Sequence, residues 1–216
     1  MKPFEDSLTE FSDKNLGKSP IPHLLQRTDW DCGLTCVAMV LRGLGVHHIT
    51  LDQLHSDCPT KEVWTIYLAY LVAKYSKVDF TFYTSYLGAN PNHLTEDFYS
   101  GLEGSELQRV DELFITARRY EINIIRLQLP IRDFQRFLYT RKFSIICLVD
   151  SNKLNCLKCS ENSKSAVNNG NKGDGYYGHY IVLIGYEPEM DTFIYRDPSC
   201  TDYYCVIHTS QLDLAR

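Results

Sequence analysis

Four side chains, far apart along the chain, are of types that together could run one reaction: Gln26, Cys32, His179 and Asp197. Cys32 closes the stretch Gln26-Arg27-Thr28-Asp29-Trp30-Asp31-Cys32-Gly33, and an apolar run with helical spacing follows it. A thiol placed where the chain enters a helix meets partial positive charge and unpaired N–H groups, and both favour thiolate. An imidazole at His179 can take the thiol proton, and a carboxylate at Asp197 can fix the imidazole tautomer. Gln26, six residues before Cys32, can offer an amide donor to an oxyanion. Brought together by the fold, these four would make a cysteine hydrolase site.

Each of these residues also has a plainer use. A lone cysteine is more often a buried core thiol, and that is the reading given to Cys36, one helical turn beyond Cys32. Asp197 precedes Pro198, and Asp-Pro commonly opens a turn. Gln26 rests on its spacing alone. The remaining histidines, at 23, 47, 48, 55, 93 and 208, lack the Gly178-His179 setting at the mouth of an apolar strand. Cys156-Leu157-Lys158-Cys159 is half of a zinc pattern. Cys200 and Cys205 are read as too widely spaced to complete it, so the pair is taken as solvated loop thiols and no metal or other cofactor is expected.

The elements that must position these residues follow from periodicity. Leu34, Val37, Ala38, Leu41 and Leu44 mark a buried helix over 33–44 stopped by Gly45. Thr50-Leu51-Asp52-Gln53 is a capping box for a short second helix. Residues 64–75 give a third, apolar nearly all round. Residues 78–84 and 123–129 read as strands. Between them lie a loop at 87–92 and a helix opened by a Ser105/Gln108 capping box. Pro130 suits the first turn of a helix to about Thr140. Residues 143–149 form an apolar strand, 151–177 a long polar loop, 179–186 and 192–196 a hairpin, and 203–208 a further strand. Helices first and a mostly antiparallel sheet later is an α+β layout. Cysteine on an early helix and histidine on a late sheet then face each other across a cleft.

Composition narrows the field. The 216 residues make one domain, read as 21–216 behind a disordered tail at 1–20. A net charge of −5 argues against a broad nucleic-acid surface. No apolar run reaches the roughly 18 residues that span a bilayer, and the N-terminus lacks a signal-peptide core. A cytoplasmic, possibly also nuclear, protein is expected, its eight cysteines reduced.

Two resemblances attach to these motifs. Gln26, Asp31-Cys32-Gly33, Gly178-His179 and Asp197-Pro198 resemble the double-glycine leader peptidases, which implies a papain-like fold and a thiol nucleophile. A more extensive likeness runs through Trp30-Asp31-Cys32-Gly33-Leu34, Trp64-Thr65-Ile66, Leu68-Ala69-Tyr70-Leu71, Leu87-Gly88-Ala89-Asn90-Pro91-Asn92 and Gly178-His179-Tyr180-Ile181-Val182. These blocks resemble the eukaryotic guanylyl cyclase domain-containing family, including its plant member. That family continues beyond the equivalent of Arg216 into a further strand, which implies that this chain lacks one. The family's name implies a cyclase. The residues offer no Gly-rich loop ending in Lys-Ser or Lys-Thr; Gly170-Asn171-Lys172-Gly173-Asp174-Gly175 and the short pattern at Lys74-Tyr75-Ser76-Lys77 are the nearest candidates. The sequence therefore leads to a papain-like α+β hydrolase of a peptide or isopeptide bond, with a peptide or protein substrate in its cleft. A guanylyl cyclase and a non-catalytic binding adaptor are the alternatives, and the sequence does not define the oligomeric state.

Overall fold

The computed structural model describes residues 19–61, 63–89, 104–159 and 175–216. The first eighteen residues of the expected tail, the end of the 87–92 loop and the middle of the 151–177 loop lie outside the described residues.

Helix α1 (Cys32–Gly43) is the centre of the molecule, buried without a break from Cys32 to Met39. It ends where Gly45 takes φ +84, letting Gly45 N–H reach Arg42 O at 3.0 Å and Val46 N–H reach Leu41 O at 2.9 Å; a left-handed glycine closes helices in this way at little steric cost. In α2 (Leu51–Asp57) the expected cap is present, with Thr50 Oγ1 accepting from Gln53 N–H at 3.2 Å. Helix α3 (Thr65–Tyr75) buries Ile66, Tyr67, Leu68, Ala69, Leu71 and Val72, as its all-round apolar character requires.

Strands β1 (Thr81–Thr84) and β2 (Asn123–Arg126) pair with each other in parallel, from Thr81↔Asn123 to Thr84↔Arg126. They do not join the main sheet. A parallel pair needs a crossover, and α4 (Gly104–Thr116) with the 3-10 turn Ala117–Tyr120 supplies it. Ser105 lies inside α4 rather than capping it, and Glu106 points inward to accept the Tyr67 hydroxyl at 2.7 Å. Pro130 precedes α5 (Ile131–Tyr139) as its N-cap, and Phe134 and Leu138 are the buried face of that helix.

The main sheet contains β3 (Ile145–Asp150), β4 (Gly178–Glu187), β5 (Thr192–Arg196) and β6 (Cys205–His208), in that order and antiparallel throughout. Alternation divides its residues between two cores. Tyr180, Val182, Ile184, Ile194 and Val206 pack with α1, while Ile181, Leu183, Phe193, Tyr195 and Ile207 pack with Phe134, Leu138 and Leu212, the last from α6 (Thr209–Ala215). A sheet covered on both faces explains why β4 reads as an unbroken apolar run. Each large side chain so buried contributes about 1.5–3 kcal/mol. The class is α+β. Part of the outer edge of β6 is met by the segment after β3, where Leu157 N–H donates to Val206 O at 2.8 Å.

One close approach fixes the site. A Cβ on Gly33 would lie 3.0 Å from the Tyr180 ring and 3.1 Å from Leu68. The missing side chain lets the first turn of α1 rest on the start of β4, and this sets Cys32 beside His179.

Candidate active site

Cys32 is the first residue of α1, and it is held there by the loop before it. The Asp31 carboxylate is wholly buried, and instead of capping the helix it folds back. It accepts from Thr28 N–H at 2.9 Å and Arg27 N–H at 3.2 Å, and its second oxygen meets His55 Nε2 at 3.0 Å. The His55 ring packs against Trp30 at 4.8 Å between centroids. Residues 26–31 are thus tied into one turn, and the thiol at its end has a fixed place. His55 is a functional neighbour that the sequence reading passed over; the signal available was only a histidine on the face of a capped helix.

His179, 7% exposed, is the second residue of β4. Its Nε2 bonds Asp197 Oδ1 at 2.8 Å, and Cys32 is near enough to the same imidazole to interact with it electrostatically. With Nε2 engaged by the carboxylate, Nδ1 is the nitrogen that can exchange a proton with sulfur. Burial alone would lower the pKa of His179. The hydrogen bond and charge of Asp197, followed by those of Cys32, outweigh it and raise the imidazole to about 10. Asp197 is itself positioned by the turn after β5. Ser199 donates to Oδ1 from N–H at 2.9 Å and from Oγ at 2.8 Å. Burial opposes the charge on Asp197, but the bonds from His179 and Ser199 keep its carboxyl below the usual range. Proximity of Cys32, His179 and Asp197 is therefore a property of the fold, with the histidine cationic and the aspartate anionic around neutral pH.

Gln26 is near this group but aimed differently from the sequence expectation. Its main-chain N–H donates to Pro198 O at 2.8 Å, which ties it to the Asp197 turn, while its amide Nε2 donates to Thr28 O at 2.7 Å. One amide N–H is therefore spent on the loop. Cys36, as expected, is a core thiol: it donates to Tyr180 O at 3.3 Å, and burial pushes its pKa well up.

The family of this molecule follows from comparison with known proteins. A family model described as guanylylate cyclase matches residues 21–216. The chain belongs to this family. It is also 37% identical, over 219 aligned positions, to a protein of Arabidopsis thaliana named guanylyl cyclase 1, with 99% of this chain and 79% of the plant protein covered.

For this family member, the separate sequence blocks converge in space. A cavity of about 200 Å3 is lined by Trp64, Thr65, Ile66, Gly88, Gly178 and Tyr180, together with the aromatic walls Phe82, Tyr86, Phe114 and Tyr176. Gly178 and Tyr180 precede and follow His179 along β4, but Cys32, His179 and Asp197 are not among the residues that line the cavity. Tyr180 spans the cavity and the start of α1: its ring lies over Gly33, and its hydroxyl bonds Thr65 Oγ1 at 2.8 Å and Val63 O at 3.2 Å. Of the phosphate-loop candidates, residues 170–174 lie outside the described residues. Lys74 is paired with Asp57 at 2.9 Å, and Tyr75 donates to the same carboxylate.

The loop cysteines are the clearest departure from the sequence reading. All eight cysteines are free thiols. However, Cys156, Cys159, Cys200 and Cys205 are not solvated loop residues: Cys200 and Cys205 are buried, and the four sulfurs cluster. Among the described residues, no helix is long and apolar enough to cross a membrane.

Proposed function

We propose that Cys32 is the nucleophile of a thiol-dependent hydrolase acting on an amide bond, peptide or isopeptide, in a papain-like α+β domain. The observation that supports this most directly is the shared imidazole: Asp197 Oδ1 on Nε2 at 2.8 Å, with Cys32 next to the same ring. In the reactive pair the thiol proton resides on His179 Nδ1 and Cys32 attacks as the thiolate. The Cys32 sulfur attacks the carbonyl carbon, and the C–S bond forms as the carbonyl π pair moves to oxygen. The resulting oxyanion lies at the start of α1, where the Cys32 main-chain N–H and the second N–H of the Gln26 amide can donate to it; one such donor is typically worth about 3 kcal/mol. The imidazolium then protonates the leaving nitrogen as the C–N bond breaks. Water, deprotonated by the same imidazole, cleaves the thioester and releases the acid. The aromatic cavity, whose wall includes both chain neighbours of His179, suits an apolar side chain of the substrate.

A second reading is favoured by the family match. The name of the Arabidopsis relative suggests cyclisation of GTP to cyclic GMP. The two readings predict opposite dependence on one sulfur. Purified protein is assayed with a mixed peptide-amide library and, in parallel, with GTP plus magnesium or manganese, each alongside Cys32→Ser. Amide hydrolysis lost in Cys32→Ser supports the thiol mechanism. Cyclic GMP formation that persists undiminished in Cys32→Ser, with no amide hydrolysis, replaces it with the cyclase.

A further inference from the structure

Four cysteines from two distant stretches meet at the β6 edge of the main sheet. Cys156 and Cys159 follow β3, Cys200 sits in the turn after β5, and Cys205 opens β6. Cys159 Sγ is 3.1 Å from Cys205 Sγ and 3.6 Å from Cys200 Sγ. The sulfurs of Cys156, Cys159 and Cys205 all lie within 4.8 Å of one another. A tetrahedral zinc with Zn–S bonds of about 2.3 Å places its sulfurs about 3.8 Å apart; the Cys159–Cys200 separation is close to that value, and Cys200 groups with Cys159 and Asp202 rather than with Cys156.

We propose that Cys156, Cys159, Cys200 and Cys205 form a structural tetrathiolate site for zinc. The pattern is C-x2-C followed by C-x4-C, and x2 to x4 is the usual spread within a zinc ligand pair. The sequence reading rejected Cys200 and Cys205 for their spacing. The fold shows why that was mistaken: the turn 200–204 brings both thiols to Cys159.

Two further features of the surroundings fit a metal better than four protonated thiols. First, Cys156 Sγ accepts three main-chain N–H groups, from Cys159 at 3.2 Å, Lys158 at 3.4 Å and Val206 at 3.4 Å. Amides turned onto a sulfur stabilise thiolate and orient a ligand, the work of an outer coordination shell. Second, zinc with four thiolates is a dianion, and a buried cation braces the turn between Cys200 and Cys205. Arg196 is wholly buried and makes no salt bridge among the described residues. Its guanidinium donates to carbonyls, Ile21 O at 3.0 Å and Tyr203 O at 2.5 Å, and lies over the Tyr203 ring at 3.9 Å. Lys158 Nζ sits over the Tyr204 ring at 4.2 Å, on the other side. Asp202 Oδ2, 3.9 Å from Cys200 Sγ, is a bystander in this scheme.

The test uses the full chain, purified under reducing conditions through a tag that binds no metal. Elemental analysis should find one zinc per chain. Replacing zinc by cobalt(II) should give the sulfur-to-metal charge-transfer bands and visible d–d bands of a tetrathiolate centre. Cys205→Ser should lose the zinc and shift these bands, whereas Asp202→Asn and the remote Cys58→Ser should retain both. Whether or not Cys205→Ser folds, the cobalt spectrum of the unaltered chain decides by itself. No zinc after purification together with no charge-transfer band on adding cobalt overturns the proposal. So does a chain purified without reductant whose mass is lighter by the hydrogens of disulfides among these four residues.

Discussion

The molecule has two sulfur centres built on opposite principles. At Cys32 a single thiol is offered to a base, and the base to a carboxylate, so charge is separated along Cys32, His179 and Asp197. In the cluster four thiols face mainly one another and main-chain amides. The first arrangement favours attack on a carbon; the second favours capture of a soft cation. They are also joined. Cys200 N–H donates to Asp197 O at 3.2 Å, so the turn that carries the candidate carboxylate is the one the cluster would brace. A single reagent can therefore separate them, since alkylation reports a free nucleophile and is blocked by a bound metal.

The largest expected effect is on that reaction. At about pH 6 an isolated thiol, with a pKa of about 8.5, is almost wholly protonated. Mass-spectrometric mapping after iodoacetamide should show Cys32 modified first and the four cluster cysteines spared until a chelator is added. His179→Ala should slow Cys32 alkylation by about tenfold or more, the loss expected of a proton acceptor. Equal labelling of Cys32 and Cys156 without chelator would erase the distinction between the centres.

Asp197→Asn tests the middle of the chain of charge and has a defined pH signature. The folded pKa of His179 is raised to about 10, against about 6.5 when unfolded. Its contribution to stability is thus complete below about pH 6.5 and drains away as pH rises towards 10. Asp197 has the opposite sign: its pKa is lowered, so its contribution holds above the unfolded value and is lost as pH falls through the folded one. In Asp197→Asn, burial is no longer opposed by a carboxylate, and the imidazole becomes neutral at pH 7. The alkaline fall in melting temperature seen for the unaltered chain should flatten in this variant. An unchanged slope would mean that His179 is not held by Asp197 in solution.

Much of this was legible in advance. The periodicities of 33–44 and 64–75, the Thr50 cap and the 179–196 hairpin were found where expected, because each is a local pattern reinforced by burial. Cys32, His179 and Asp197 were legible for a similar reason, each being placed at the end of a strongly patterned element. What could not be read depended on contacts between elements. The parallel β1–β2 pair is one case, and the aim of the Gln26 amide at Thr28 is another. The meeting of Cys156 with Cys205 is a third, since it follows from how the segment after β3 lies along β6.

Arg196 sharpens the comparison from the other side. Arg196→Met removes the donors to Ile21 O and Tyr203 O and leaves those carbonyls buried, at a cost on the order of 3 kcal/mol. For a domain of this size that lowers the melting temperature by about 6–12 °C. If the cluster carries a dianionic metal site, the loss should be greater in zinc-loaded than in chelated protein, because only the former has a negative charge left without its counterion. The same loss in both forms would separate Arg196 from the metal proposal and leave it a clamp on the residue 21 segment.

The smallest effect is expected at His55, and it bears on which histidine is the base. His55 is a second imidazole near Cys32, through Asp31, which it meets at 3.0 Å. Asp31 keeps its bonds from Arg27 and Thr28 N–H without it. His55→Ala should therefore cost about 1 kcal/mol, or about 2–4 °C in melting temperature. Alkylation of Cys32 should fall only slightly, because the loop is loosened but the proton acceptor remains. The two histidines make different kinds of contact: His55 supports the turn that presents the thiol, and His179 lies next to the thiol itself. If His55→Ala slows alkylation as much as His179→Ala while the melting temperature barely moves, that division of roles is wrong, and the base lies on α2 rather than at the mouth of β4.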